Sequence, residues 1–442
     1  MRGEREGQLD QAVVTARIVG LAEGLVKVLT EGAAMGETAG EMEARVAAVF
    51  REVGAAALGE LLSARFGRQE GRWRPCGCGA RMKFERYGAR KVLTVLGPAE
   101  VKRAYYRCAA CGATYYVGAE ELGDAEGGKT IGVQEALSLL AGHLPFEESA
   151  DKVERLLGVH TCTSEVEKHA EAWGERLEQE WEGEVEMVFE EHAEVLPEAA
   201  PERLYVALDG CKTPLVDAWH ETRVGAVYDT RGRDEAGVDE AGRTTYVGVV
   251  YRPYEEFGRR LYVEALRRGL GWAKEVVVLG DGAPWIWELA AMHFPNATHI
   301  VDWYHVSKHL WEVADAVYGP GSPPAKDWVE RQEGRLRAGE VEGAMRSLRG
   351  LQPPPEAAET VRKNIEYFRT NRDRMRYDQY RKRGLHIGSG VVESACKHVA
   401  NQRLKRSGMR WSQRGAQATL NLRILDLNGR WDAYWNRQRR VA

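Results

Sequence analysis

Three short segments carry residues suited to phosphodiester chemistry: LYVALDG at 204–210, VVVLGDG at 276–282 and GSGVVESACK at 388–397. The first two end apolar, β-rich runs on an aspartate. The third places a glutamate in what reads as a helix start. Asp209, Asp281 and Glu393 are then a set of oxygen donors, the ligand type that hard cations require. Two such cations roughly 3.5–4 Å apart can clamp the attacking and leaving oxygens of an in-line phosphoryl transfer. Each residue also has a plainer reading. Asp-Gly commonly marks a turn, and a glutamate in a first helical turn is favoured by the helix dipole. The combination, two strand-end carboxylates plus a helix-borne one, predicts a metal site.

Asp302 and His305 lie in DWYHVSKHL, at the end of a further apolar run. They read as metal ligands, as hydrogen-bonding groups near a scissile phosphate, or as an ordinary strand-end cap. Asp217, Asp229 and Glu288 read as surface or turn residues. A second constellation lies earlier. Cys76 and Cys78 precede, and Cys108 and Cys111 follow, a pair of β-rich runs, RKVLTVLGPAEVKRAYYRC, around a Gly-Pro turn signal. Four thiolates around a hairpin are the arrangement of a zinc ribbon. The CAAC half has the usual spacing, and CGC is one residue short of it. The alternative is four reduced cysteines in a small β unit. No βαβ pattern surrounds CAAC, so redox catalysis fits poorly. Cys162 reads as a buried or capping thiol.

These residues need elements to hold them. Residues 8–66 carry two runs of helical periodicity. Residues 128–190 return to helix, and LPFEESADKVERLLGVHTCTSEVEKH has the outline of a helix-turn-helix or a helical hairpin, with Thr163 or Ser164 as N-cap. AAPE at 199–202 reads as a domain boundary. From 203 the order is three strands, helix, strand, helix, strand, helix, with a polar loop at 230–243. Asp209 falls on the first strand and Asp281 just after the fourth. That is the element order of the ribonuclease H-like fold. Residues 325–383 are helical and Arg-rich, split by QPPPE, and read as an insertion before the final helix with Glu393.

The predicted class is therefore multidomain α+β: a ribonuclease H-like mixed core with a helical insertion, behind an N-terminal zinc-ribbon and helical region. The expected divisions are 1–70 (helical), 71–118 (zinc ribbon), 119–200 (helical, DNA-binding, with an acidic linker), 201–319 (first part of the core), 320–385 (insertion) and 386–442 (last core helix and basic C-terminus).

Net charge is −4 and says little, but its distribution is uneven. Segment 71–118 has ten Lys/Arg against two Asp/Glu, 397–442 has eleven against two, and 165–202 has fourteen acidic residues against two basic. Such blocks predict separate surfaces with separate partners, or solvated helix faces. In the C-terminal block Trp411, Trp431 and Trp435 alternate with arginines, a composition suited to phosphates and unstacked bases. Arg403, Lys405, Arg406, Arg410, Trp411 and Arg414 are the expected DNA contacts. No apolar run approaches the ~18 residues of a membrane span. MRGEREGQLD lacks the apolar core of a signal peptide. Seven cysteines with no export signal suit a reducing cytoplasm.

Taken together, LYVALDG, VVVLGDGAPWIW, IVDWYHVSKHL, GSGVVESACK and LKRSGMRWS resemble DDE transposases of bacterial insertion sequences, with the best fit to the ISKra group, whose catalytic layout is shared with Mutator-type transposases. The resemblance covers roughly 70–442. It implies that Asp209, Asp281 and Glu393 are the catalytic triad holding two Mg²⁺ or Mn²⁺ ions, and that Asp302 and His305 match the family's Asp-x-x-His motif. It further implies structural Zn²⁺ on the four cysteines, double-stranded DNA (transposon ends and target) held by ribbon, helical region and basic C-terminus, a homo-oligomer, and a bacterial, nucleoid-associated location. The rival expectations are another ribonuclease H-like nuclease, and an inactive, domesticated transposase kept as a zinc-containing DNA-binding regulator.

Overall fold

The structure is a computed structural model, and it describes residues 11–31, 37–123, 127–235, 237–388 and 390–441. MRGEREGQLD, Ala236 of the 230–243 loop and Ser389 of the GSG motif lie outside the described residues. The architecture is multidomain α+β, with two sheets and many helices. It divides into two compact units: residues up to Ala170 together with those from Trp431, and Glu171–Arg430. None of the described helices is long and apolar enough to cross a membrane.

The first unit opens with α1 (Gln11–Glu31) and α2 (Ala39–Phe66). A capping box starts α2: Glu41 donates its N–H to the Thr38 hydroxyl, and the Thr38 N–H donates to the Glu41 carboxylate. An antiparallel meander follows, in the order β1 (Trp73–Pro75), β2 (Arg81–Thr94), β3 (Gly97–Cys108), β4 (Thr114–Tyr116). The hairpin is as expected, but its turn is Val95–Leu96, and Gly97 and Pro98 already belong to the return strand. Thr94 fixes that turn by donating its hydroxyl to the Gly97 carbonyl and accepting the Leu96 N–H. Helix α2 covers the edge of β3 left open by short β4. Lys102 donates its N–H to the Ser63 hydroxyl at 2.9 Å. Gly59 is required for this approach, since a Cβ there would stand 2.7 Å from the Glu100 carbonyl. Phe66, Met82, Val101, Tyr106 and Val117 fill the core beneath. Helices α3 (Ile131–His143) and α4 (Phe146–Leu157) come next, and Gly158 ends α4 in the left-handed conformation. Helix α5 spans Thr163–Phe189. Its cap is Cys162, whose carbonyl accepts the Glu165 and Val166 N–H groups, and not Thr163 or Ser164, which already lie in the helix. The Cys162 thiol is exposed.

In the second unit the sheet order is β7-β6-β5-β8-β9, built from β5 (Arg203–Pro214), β6 (Trp219–Arg233), β7 (Asp239–Val250), β8 (Glu275–Gly280) and β9 (Thr298–Val301). Strands β5, β8 and β9 run parallel, and β6 and β7 are antiparallel to their neighbours. Central β5 is buried continuously over Leu204–Leu208, as a strand covered on both faces must be. Between strands come α6 (Tyr254–Arg267), α7 (Pro284–His293) and α8 (Trp303–Tyr318). Glycines let helices close on both faces: Gly225 lies under Leu261 and Phe257 of α6, and Gly248 under Leu420 and Ile424. The expected insertion is α9 (Pro323–Arg337), α10 (Val341–Arg349), α11 (Ala358–Asn371) and α12 (Tyr377–Lys382). Pro323 begins α9 instead of merely ending what precedes it. Most of the 230–243 loop is strand, because β6 runs to Arg233 and β7 starts at Asp239. The Glu393 helix is α13 (Gly390–Ala395), a π-helical stretch Cys396–Asn401, and α14 (Gln402–Leu404). Helix α15 (Gln413–Leu427) is buried on all sides from Gly415 to Leu425.

Both open edges of this sheet are closed by side chains. On β7, Gln417 accepts the Val250 N–H and donates to the Gly248 carbonyl, while Asn428 does the same for Tyr246. On β9, the hydroxyls of Tyr377 and Tyr380 donate to the carbonyls of Val301 and His299. Amides and phenols thus stand where a further strand would pair.

The acidic block has its counter-charge inside this unit. Arg260 of α6 grips Glu178 of α5, with Nη1 to Oε2 at 3.0 Å, and Asn421 donates to the same carboxylate at 2.7 Å. Arg252, Arg267 and Arg259 pair with Glu182, Glu184 and Glu190. The second unit consequently begins within α5, at Glu171, well before AAPE. Glu178→Ala leaves the buried Arg260 with only the longer contact to Glu182, at 3.4 Å. The expected loss is about 3 kcal/mol, the low end for breaking a buried pair, measured by urea unfolding at neutral pH. Burial raises the pKa of Glu178, but Arg260 overrides it and holds the group below its ordinary value. Its stabilisation is therefore present above the ordinary glutamate pKa and lost as pH falls through the lowered folded one. Wild type and variant should converge in that acid range; equal stability at neutral pH would refute the assignment.

Candidate active site and metal centre

The parallel register brings two of the predicted carboxylates together. Leu208 pairs with Gly280, so Asp209 stands beside Asp281. Asp281 is the first residue past β8, but Asp209 is not at a strand end, since β5 continues to Pro214 and pairs Asp209 with Val224 of β6. Asp209 accepts the Gly210 N–H at 2.7 Å. Asp281 accepts the Ala283 N–H at 2.9 Å, turning the chain into α7. Gly282 follows at φ +99, and a Cβ there would strike the Tyr367 ring. Burial raises the Asp209 pKa, and the Asp281 charge raises it further; the Gly210 amide, the Cys396 thiol and His305 offset this only in part. Two carboxylates forced together in a partly buried place are the donor set that a divalent cation neutralises.

Asp302 and His305 join this pair. Asp302 is buried and caps α8, accepting the His305 N–H at 2.7 Å and its ring Nδ1 at 3.0 Å. The capping reading is therefore correct. The Asp302 hydrogen bond raises the His305 pKa against burial, and the charges of Asp302, Asp281 and Asp209 add to it. These carboxylates favour the protonated form of His305.

Glu393 sits differently. It is exposed, in the first turn of α13. Cys396, one helical turn on, is the residue that hydrogen-bonds Asp209, and it also contacts Cys211. Residues three apart share a helix face, so Glu393 lies on the stripe that meets β5. Its carboxylate does not form a tight donor cluster with the two aspartates. Among the described residues, such a cluster is found at the four cysteines.

Several neighbours of the site were not anticipated. Cys211 is two residues past Asp209 on the same strand face, and Cys396 is a turn past Glu393; strand and helix spacing could have flagged both. Tyr367, from the insertion, has no local signal. Its hydroxyl donates to the Asp281 carbonyl at 2.9 Å, and its ring stacks on His309. Burial, then Asp281 and Asp302, push its pKa well up, so it remains a protonated donor. Of the residues read as plain surface, Asp217 pairs with His220, Glu288 accepts from Tyr254, and Asp229 pairs with buried Arg268.

The expected DNA contacts at the C-terminus divide. Lys405, Arg406, Arg410 and Arg414 are exposed. Arg403 and Trp411 are buried and stack on each other, the guanidinium 4.7 Å from the ring, and the Trp411 indole donates to the Leu404 carbonyl. They shape the 404–411 loop and are not surface groups. Arg414 is paired with Glu175.

The four cysteines of the first unit converge. Their ligand atoms all lie within 4.8 Å of one another, with sulfur–sulfur contacts of 3.5–3.7 Å for Cys76–Cys78, Cys76–Cys111 and Cys78–Cys108. Zn–S bonds of about 2.3 Å would put the sulfurs of a tetrahedron about 3.8 Å apart, so the cluster is compatible with structural zinc. The short CGC spacing is accommodated by a tight turn: the Gly79 N–H donates to the Cys76 carbonyl, with Gly79 at φ +85. Amides of Cys111 and Ala110 draw the Cys108 thiol down to about 7. At Cys111 the Ala113 amide pulls down, but the three other thiols push it up to about 12.

A multidomain α+β protein, with an acidic pair at the C-terminal end of a mixed five-stranded sheet and a separate four-cysteine centre, is the class so defined. The chain belongs to the family described as UPF0236, an uncharacterised protein family, whose model matches residues 29–439. It is similar to three UPF0236 proteins of Caldanaerobacter subterraneus subsp. tengcongensis. TTE2489 is 25% identical over 354 residues, covering 78% of this chain and 70% of that one. TTE0402 is 25% identical, with 78% and 65% covered. The third is 24% identical, with 78% and 69% covered, and its name joins eleven locus designations, from TTE0033 to TTE2212. The chain thus spans about two-thirds of the length of these relatives.

Two outcomes are expected. Asp209→Asn, without added divalent ion, should be more stable than wild type near neutral pH, because it removes a buried charge that stands beside Asp281. A carboxylate with a raised folded pKa costs stability as pH rises through the ordinary range toward that value, so the gain should vanish in acid. Thermal midpoints across pH decide, and a variant less stable than wild type at neutral pH contradicts the like-charge account. Cys108→Ser combined with Cys111→Ser should lose bound zinc and destabilise residues 72–117, since a structural metal contributes folding energy. Elemental analysis finding no zinc in wild type purified without chelators would contradict this.

Proposed function

We propose that the protein is a transposase that cuts the ends of an insertion sequence and joins them to target DNA by metal-dependent phosphoryl transfer. One observation carries the reading: Asp209, within β5, stands beside Asp281, the first residue past parallel β8, in a sheet whose order β7-β6-β5-β8-β9 is the third-second-first-fourth-fifth order of a ribonuclease H-like core. The helical insertion and then Glu393 follow in the chain order that DDE transposases use. A relative whose name joins eleven loci of one organism fits a gene that spreads by copying itself.

The donor set suits Mg²⁺ or Mn²⁺. When bound, two ions would supply charge neutralisation and an activated oxygen nucleophile, a water for cleavage and a DNA 3′-hydroxyl for joining. Asp209 and Asp281 would hold the ions, and Glu393, exposed on α13, would have to swing toward them to contribute. His305, whose protonated form Asp302 favours, faces the charge that develops on the phosphate. Tyr367 fixes the Asp281 backbone. The four cysteines hold Zn²⁺ in a structural role. Pairing two ends calls for a homo-oligomer in the bacterial cytoplasm. The rivals differ in outcome: another ribonuclease H-like nuclease cuts without joining, and a domesticated regulator does neither.

The test is incubation with the DNA flanking its own gene and Mg²⁺, with cut and joined ends mapped. Asp281→Ala should abolish both steps, a loss of several orders of magnitude, while duplex binding stays within about threefold of wild type. Wild-type turnover in that variant would remove Asp281 from the reaction.

A further inference from the structure

The arginines of this protein are mostly paired with carboxylates, and one surface departs from that habit. In the sheet of the first unit, Lys83 lies opposite Arg107, Arg86 opposite Tyr105, and Tyr105 opposite Tyr116. Residues directly opposite in antiparallel strands share a face. Lys83 and Arg86 are three apart and would ordinarily point to opposite sides. The bulge between Phe84 and Arg86 absorbs Glu85 and returns Arg86 to the Lys83 side. Arg90, opposite Val101, continues the same face. Lys83, Arg86, Arg90 and Arg107 are all exposed, and none has an ion-pair partner among the described residues. Two of them are held by rings: the guanidinium of Arg86 is 5.4 Å from the Tyr105 ring, and that of Arg90 is 4.7 Å from the Tyr116 ring. The two tyrosines pack together with centroids 4.7 Å apart.

We propose that this face of the four-cysteine sheet binds the phosphate backbone of duplex DNA. The inference rests on the DNA reading of the preceding section and deepens it by naming where the duplex lies. Four cations on one face that form no ion pair among the described residues match a polyanion. The occupied rings decide between backbone and bases. A tyrosine whose face carries a guanidinium is not a platform for an unstacked base, whereas a guanidinium held flat on a ring keeps its N–H edge free for bidentate contact with phosphate. The face therefore reads backbone and not unpaired bases.

The full-length protein, without added Mg²⁺, is titrated with a labelled duplex of arbitrary sequence over a series of salt concentrations. Arg86→Gln, Arg90→Gln and Arg107→Gln are combined in one variant. Removing three phosphate-binding charges should lower the slope of log affinity against log salt by roughly 2.7. Lys91→Gln with Lys102→Gln, both exposed on the opposite face, should leave the slope unchanged. The triple lysine variant Arg86→Lys, Arg90→Lys and Arg107→Lys should restore most of it, and unchanged zinc content shows that the sheet is intact. A triple glutamine variant with the wild-type slope, an equal fall per charge in the opposite-face control, or tighter binding of the single strand than of the duplex would each overturn the proposal. The slope is read without cleavage, so a wild-type protein that binds but fails to cut or join DNA refutes the transposase reading and leaves this surface standing.

Discussion

The parallel pairing of β5 with β8 is the constraint around which the second unit is arranged. It places Leu208 beside Gly280, and so sets Asp209, within β5, next to Asp281, the first residue past β8. Charge repulsion and partial burial make that juxtaposition unfavourable for the isolated protein, which is visible in the raised pKa of Asp209. The surroundings compensate piecewise. Backbone amides of Gly210 and Ala283 bind the carboxylates, His305 partly offsets the raised pKa of Asp209, and Tyr367 clamps the Asp281 carbonyl from the insertion.

A mixed sheet can hold such a pair only if it stays a closed object. Here both edges are finished with side chains, Gln417 and Asn428 on β7 and Tyr377 and Tyr380 on β9. The insertion thereby has a structural task as well as a place near the site. The same region explains the acidic helix. Glu178 joins α5, α6 and α15 through Arg260 and Asn421, so the charge block that looks like a separate surface is half of an internal ion-pair array.

Charge in the sequence is therefore a poor guide to surface until pairing is known. The C-terminal basic block looks like a nucleic-acid face, yet Arg403 and Trp411 are buried against each other and Arg414 is tied to Glu175. The hairpin's basic residues look no different in composition, yet four of them share one face and form no ion pair among the described residues. The difference lies in a single bulge at Glu85 and in which helices lie close enough to supply carboxylates.

The sequence by itself determined the order of elements in the second unit, the helical insertion, the hairpin and the grouping of the four cysteines. These follow from local periodicity, turn chemistry and ligand spacing, which act within a few residues of one another. It also placed Asp281 just past a strand, but it ended the first strand too early: Asp209 lies inside β5, which continues to Pro214 because its antiparallel pairing with β6 extends beyond the apolar run. Only the tertiary structure decided that α15 is wholly buried, that the second unit begins within α5, that Cys396 and Tyr367 border the aspartates, and that Glu393 stands exposed on α13. Each of these depends on contacts between residues tens to hundreds of positions apart. Their energy is that of burial and pairing, which no local pattern records.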